Sequence, residues 1–345
     1  MKRLNELYSG QCKVWTDGEN NGHGFVIPGY RDYSGRRLRI NVLAMGDVGG
    51  TMTLAMRLTG ADIISRIGIC DISETAIRRW EQELNQIALP SDPEALPPVI
   101  PVEAEELFDC DVFVFCASRG VPDLSQKDVD VRMVQLDKNR ELIRNYAAQA
   151  AEAGFDGEFF VVSDPVDPLC RAAASGGILP ERIQGFGLGV MNGRAAYFAR
   201  QAKTEAGKSM PAVVKYLTEG RVYGPHGEDL VVANSIADYD EEASLELTRQ
   251  TVSANLRIRE LGFKPYIAPA VTSGALSIME NLRGHWHYSS AWFGPAGEVP
   301  EEGGGAYLGM RNRRCGEGLL IEDPSLDDRL FERIERAYRN LEELR

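Results

Sequence analysis

The sequence predicts an α/β first half, a doubly wound parallel sheet, followed by an α+β second half. Three observations carry that expectation. From Leu38 onward, short apolar runs alternate with amphipathic stretches of helical length, which is the texture of parallel strands buried on both faces in βαβ units. A glycine-rich turn follows the first of these runs directly. After Ile183 the alternation stops, and short strand-like pieces mix with longer helical ones, as in a second unit built on other rules.

Residues 1–37 are polar and dotted with glycine, without sustained periodicity, and read as an N-terminal arm or irregular cap. The runs Ile40 to Met45, Ile63 to Cys70, Val99 to Val102, Val112 to Cys116 and Phe159 to Val162 read as strands. Between them, Gly50 to Leu58, Glu74 to Ile87 and Val129 to Ala153 carry helical patterns. Beyond Ile183, a helix is expected around Tyr197 to Ala206, then a hairpin over Arg221 to Tyr223 and Leu230 to Ala233. Helices over Glu241 to Leu261 and Thr272 to Arg283 follow, and a β-rich segment leads to a charged helix, Asp327 to Leu344. The expected division is an arm over 1–37, a nucleotide-binding unit over 38–185 and a substrate unit over 186–345.

Composition narrows the function classes. With 38 basic and 51 acidic side chains the formal net charge is −13, a poor surface for a phosphate backbone, so nucleic acid is not an expected partner. Two basic residues precede no apolar core near the N-terminus, and nowhere do eighteen apolar residues run together, so neither an export signal nor a membrane span is expected. The six cysteines include no C-x-x-C pair and sit mostly in apolar runs, which suits reduced thiols in a cytoplasmic protein and gives no metal site.

The turn Ala44-Met45-Gly46-Asp47-Val48-Gly49-Gly50 is a G-x-G-x-x-G pattern with alanine in the first glycine position. Gly46 lets the backbone approach a pyrophosphate, and Gly49 lets the following helix pack close to the strand. Asp71 ends the next strand about twenty residues on, where a carboxylate accepts hydrogen bonds from ribose hydroxyls and opposes a 2′-phosphate. A Rossmann-type site for NAD rather than NADP is the expectation, with Gly46, Asp47, Val48, Gly49 and Asp71 at the cofactor.

Of four histidines, His226 stands in the glycine-flanked turn Gly224-Pro225-His226-Gly227-Glu228-Asp229. That turn resembles the G-E-H-G-D-S turn of lactate and malate dehydrogenases. The resemblance runs from about Leu38 to the C-terminus. Val162-Ser163-Asp164-Pro165-Val166-Asp167 is similar to the family's V-S-N-P-V-D, Arg132-Met133-Val134-Gln135-Leu136-Asp137-Lys138-Asn139 to its R-L-x-L-V-Q-R-N, and Val190-Met191-Asn192-Gly193-Arg194 to its L-D-x-x-R. Ser277 to Leu282 and Tyr307 to Gly309 match further framework pieces. What the resemblance implies is a dehydrogenase exchanging a hydride between NAD(H) and a small 2-hydroxy or 2-keto acid, as a homodimer or homotetramer. His226 would be the general acid/base, Arg194 the substrate carboxylate's fork, and Arg132 the lid arginine that polarises the carbonyl; Asn192 would line the substrate pocket, and Ala117, Asn139 and Asp164 the cofactor crevice.

The reaction requires these residue types. Hydride addition to a ketone leaves an alkoxide that needs a proton, and histidine titrates nearest neutrality. A planar guanidinium matches a carboxylate with two parallel hydrogen bonds. The chain also departs from the pattern. Met191 stands where the family has the aspartate that orients its histidine, and Asp164 replaces the asparagine of N-P-V-D, so Asp164 is expected to take over part of that support as a catalytic residue. Gly120-Val121-Pro122 is followed by Asp123 where malate dehydrogenases carry an arginine for the distal carboxylate, which argues against malate and for a substrate with a polar or cationic tail. The alternatives are a dehydrogenase for another carbonyl or imine compound on the same scaffold, and a catalytically silent NAD-binding protein.

Overall fold

A computed structural model describes residues 2–17, 22–119, 131–202, 210–297, 299 and 304–344, without the side chains of 17, 22 and 131–135. In chain order the strands and helices are β1 (Lys13–Asp17), β2 (Gly22–Ile27), β3 (Leu38–Leu43), α1 (Asp47–Thr59), β4 (Ile64–Cys70), α2 (Glu74–Asn85), β5 (Val99–Pro101), β6 (Val112–Phe115), α3 (Val131–Glu152), β7 (Glu158–Val161), α4 (Val166–Ala174), β8 (Ile183–Gly185) and α5 (Leu188–Gln201). There follow the single turns α6 (Pro211–Val214) and α7 (Tyr216–Glu219), then β9 (Arg221–Tyr223), β10 (Val231–Ala233), α8 (Glu241–Val252) and α9 (Ala254–Glu260). A π-helical stretch, Pro269–Leu276, runs into α10 (Ser277–Leu282), before β11 (His287–Phe293), β12 (Ala306–Cys315), β13 (Gly318–Glu322) and α11 (Asp328–Glu343).

Eleven described strands form one sheet in the order β1-β2-β13-β12-β11-β8-β7-β6-β3-β4-β5. The six from β8 to β5 are all parallel, and the order reverses between β3 and β6, the switch point at which ligands of open α/β sheets bind. Strands here lack polar alternation because both their faces are covered: Ile40, Val42, Val112, Val114 and Phe160 enter one apolar core, while Leu43, Phe113, Phe115, Phe159 and Val161 enter another. The α/β class and its doubly wound parallel sheet are as the sequence predicts. β11 joins the parallel part through the single antiparallel pair Ser290 and Gly185, and β12, β13, β2 and β1 continue antiparallel.

Several local expectations are corrected. Residues 13–17 and 22–27 form no irregular cap: β1 pairs with β2 and β2 with β13, and Leu4, Leu7, Phe25 and Ile27 are buried in the core beneath α11. Their partners lie some three hundred residues away, so no local pattern announces them. The helix expected near Tyr197 begins at Leu188, where Gly189 leaves room for Ser277, whose Oγ would stand 2.2 Å from an added Cβ. The helix expected over Glu241 to Leu261 breaks at Ser253, whose hydroxyl bonds back to the Arg249 carbonyl at 2.9 Å, a side-chain bond that competes with helix continuation. α4, absent from the sequence reading, is buried at every residue and so has no polar face to give it a period.

Candidate active site

The site forms where the parallel strands end. After β3, Ala44 takes the left-handed backbone conformation with φ +75°, and Gly46 caps α1. A Cβ on Gly49 would stand 1.9 Å from the Ala44 carbonyl oxygen, whereas one on Gly46 would meet nothing within 4 Å. Gly49 therefore serves packing, and Gly46 keeps open a space beside the unpaired first-turn amides of α1, which also include those of Asp47 and Val48. Asp71 follows β4; its Oδ2 accepts the Met45 N–H at 2.6 Å and its Oδ1 the Ser73 N–H at 2.8 Å, which leaves part of the carboxylate's acceptor capacity for another donor. That open space, those amides and that carboxylate fit the pyrophosphate and ribose of a dinucleotide.

Two supports of this turn escaped sequence reasoning. The Trp80 indole donates to the Met45 carbonyl at 2.7 Å and packs against Gly50. Lys264, before the π-helical stretch, reaches Asp47 at 2.9 Å. Each partner is distant in sequence, and no motif joins them.

Ala117 follows β6, and its carbonyl accepts the Ser163 hydroxyl at 2.7 Å. Asn139 on α3 is fully buried. Its Nδ2 donates to the Asp164 carbonyl at 3.2 Å, and its Oδ1 accepts the Arg119 N–H at 2.9 Å. Asn139 thus stands behind the crevice and shapes it, rather than lining it as the sequence reading has it.

His226, on the turn between β9 and β10, has its Nδ1 2.9 Å from Asp164 Oδ1, while its ring is largely buried and the Asp164 side chain is open to the crevice. Its backbone N–H reaches Asp167 Oδ2 at 3.4 Å. Burial by itself lowers the histidine's pKa; the Asp164 charge and hydrogen bond outweigh that, against opposition from Arg194, and hold it above the ordinary value. Arg194, on α5, is partly buried, with Nη1 at 3.4 Å from Met191 Sδ and Nη2 on Asn255 Oδ1. Among the described residues no carboxylate forms an ion pair with it; burial lowers its pKa, opposed by the nearby Asp164 charge.

No protein-family model matches the chain. Over 230 residues, 64% of the chain, it is 27% identical to L-lactate dehydrogenase 2 from Staphylococcus aureus strain JH9, and the match spans 66% of that enzyme's length, just under two thirds. Among solved structures it is similar to a lactate dehydrogenase from a Medee basin deep-sea metagenome library, with a TM-score of 0.70 and 18% identity over 90% of this chain and 98% of that one. It is also similar to the Archaeoglobus fulgidus malate dehydrogenase in complex with NADH, with a TM-score of 0.66 and 17% identity over 89% and 98%. In sequence and in fold the chain is thus similar to lactate and malate dehydrogenases.

Within that pattern, the structure brings His226 and Asp164 into contact, with Arg194 in electrostatic range of both, while the glycine-rich turn follows the neighbouring strand β3. Met191 is buried against Arg194. Asn192, expected at the substrate, accepts the Tyr216 hydroxyl at 2.7 Å. Asn255, which holds Arg194, was missed; it comes from α9, sixty-one positions on. Asp123 lies outside the described residues, as does the side chain of Arg132, which belongs to the first turn of α3. No described helix is long and apolar enough to cross a membrane.

Proposed function

We propose that the protein interconverts a small 2-keto acid and its 2-hydroxy acid with NADH and NAD. The observation that carries this is Arg194: a partly buried guanidinium without a carboxylate partner among the described residues, in the same crevice as His226. A desolvated cation of that geometry is supported by an anionic ligand, and a carboxylate fits its fork. The bound nicotinamide cofactor supplies or accepts the hydride. In the reducing direction Arg194 holds the substrate carboxylate and so fixes the ketone carbon. His226, with Nδ1 engaged by Asp164, presents Nε2 and donates its proton to the carbonyl oxygen. Arg132, in the first turn of α3, polarises that oxygen and helps exclude water. Asp71 favours the free ribose hydroxyls of NAD over the 2′-phosphate of NADP. A distal carboxylate finds no expected arginine at position 123, so oxaloacetate is not the substrate of this reading.

The test is NADH oxidation across a panel of 2-keto acids, with Arg194→Lys beside the wild type. One ammonium cannot reproduce a two-point fork, so kcat/KM is expected to fall roughly tenfold to a hundredfold with the NADH dissociation constant unchanged. Steady absorbance over the whole panel by a wild type that binds NADH would reject the reading in favour of a silent NAD-binding protein.

A further inference from the structure

We infer that positions 164 and 191 have exchanged duties: Asp164 is the positioning residue that orients and charges His226, and Met191 keeps Arg194 free for the substrate carboxylate. This rests on the proposed function and specifies how its two key side chains are supported. Two departures from the family pattern, a carboxylate gained at 164 and one absent at 191, meet at one site. The gained carboxylate is 2.9 Å from His226 Nδ1. The residue at 191 is a buried thioether whose sulfur lies 3.4 Å from Arg194 Nη1. In the family pattern a carboxylate in its place is taken up by the histidine; here, with Nδ1 held by Asp164, it would be left within ion-pair reach of that guanidinium and compete with an incoming carboxylate for it.

The groups around the imidazole are few. Asp164 approaches from the turn between β7 and α4, Asp167 from the first turn of α4, and Arg194 acts from α5. On its own turn, Asp229 accepts Asn340 Nδ2 at 3.0 Å, and Glu228 follows His226 by two positions. Asp164 hydrogen-bonds the ring itself. Its backbone carbonyl is tied to Asn139, which fixes the turn from which the carboxylate reaches out. The pair spans the crevice, the carboxylate coming from the parallel-strand half and the imidazole from the half beyond it. With Nδ1 committed to Asp164, Nε2 is the nitrogen left to the substrate, and the imidazolium that donates to a ketone is stabilised by the Asp164 anion, whose charge also acts on Arg194.

The experiment titrates the His226 ring by NMR in the wild type, Asp164→Asn and Met191→Asp, assigning it with His226→Gln, and measures binding of oxamate to each NADH-loaded protein. The wild-type ring is expected to titrate above about 6.5, the ordinary value. Asp164→Asn is expected to lower its pKa by a unit or more, with the alkaline fall of keto-acid reduction moving down equally. Met191→Asp is expected to weaken oxamate binding tenfold or more with the His226 titration in place. A wild-type ring titrating below its ordinary value, a titration unmoved by Asp164→Asn, or oxamate binding untouched by Met191→Asp would each overturn the exchange. The titration needs no substrate, so a shift in Asp164→Asn without turnover of any keto acid would reject the proposed reaction and leave the pairing standing.

Discussion

Asp167 lies directly behind the His226 turn. It is buried, it accepts the Ser290 hydroxyl, and its other oxygen faces the His226 backbone N–H. Burial pushes its pKa up from 3.8 to about 6, with the Ser290 bond only partly offsetting it. A carboxyl raised in this way supports the fold while protonated. That contribution is complete below the unfolded pKa of about 4 and is lost as pH rises through about 6. Asparagine keeps an acceptor for Ser290 and never ionises. Asp167→Asn is therefore expected to stabilise the protein at pH 8 by about 2 kcal/mol, roughly 3 from the two-unit shift less about 1 for the weaker contact to His226. The gain should vanish at pH 4. Urea unfolding at the two pH values measures it, and an equal effect at both would mean that the Asp167 charge is not the cause.

The turn joining β3 to α1 separates two duties that sequence lumps together as one glycine motif. An alanine Cβ at Gly49 strikes the Ala44 carbonyl, whereas one at Gly46 enters empty space, and Gly46 has a negative φ of −71° that alanine accepts. Gly49→Ala should therefore destabilise the fold by about 1–3 kcal/mol through overpacking. Gly46→Ala should leave stability within about 0.5 kcal/mol, as a substitution in open space does. It should instead weaken NADH binding tenfold or more, because the methyl occupies the space left for the cofactor. Urea melts and fluorescence titration with NADH separate the two. Tight NADH binding by Gly46→Ala would remove this turn from the cofactor site.

Across the whole molecule, a buried polar network ties the two halves and the N-terminal segment together. Arg314 on β12 and Glu158 on β7 pair at 2.7 Å with neither side chain exposed. The guanidinium also reaches Asn281 Oδ1 at 2.8 Å and the Arg31 carbonyl at 2.8 Å, and Gln184 Oε1 at 2.5 Å. Tyr33 adds a bond to Glu158 at 3.1 Å. His287, beside Asn281 and Ser289, is pushed down to about 3 by burial and so stays neutral here. Removing one partner of such a pair strands the other charge. Arg314→Met is expected to cost about 3–5 kcal/mol in urea unfolding, and adding Glu158→Gln should recover a large part by removing that charge. No recovery in the double variant would assign the loss to packing instead.

What the sequence determined by itself was whatever a few consecutive residues express. Burial of β3, β6 and β7 on both faces appears as unbroken apolar runs, and the glycine turn with Asp71 appears as a spacing. The turn around His226 appears as a motif, because the chemistry proposed for it needs those residues side by side. Contacts made at long range left no such trace. Only the tertiary structure pairs β2 with β13, seats Asn255 on Arg194, and places Trp80 against the glycine-rich turn. Asp164 shows the division most closely. Its charge and its motif position were readable, but the 2.9 Å that couples it to His226 depends on how two turns sixty-two residues apart are brought together by the strands and helices beneath them.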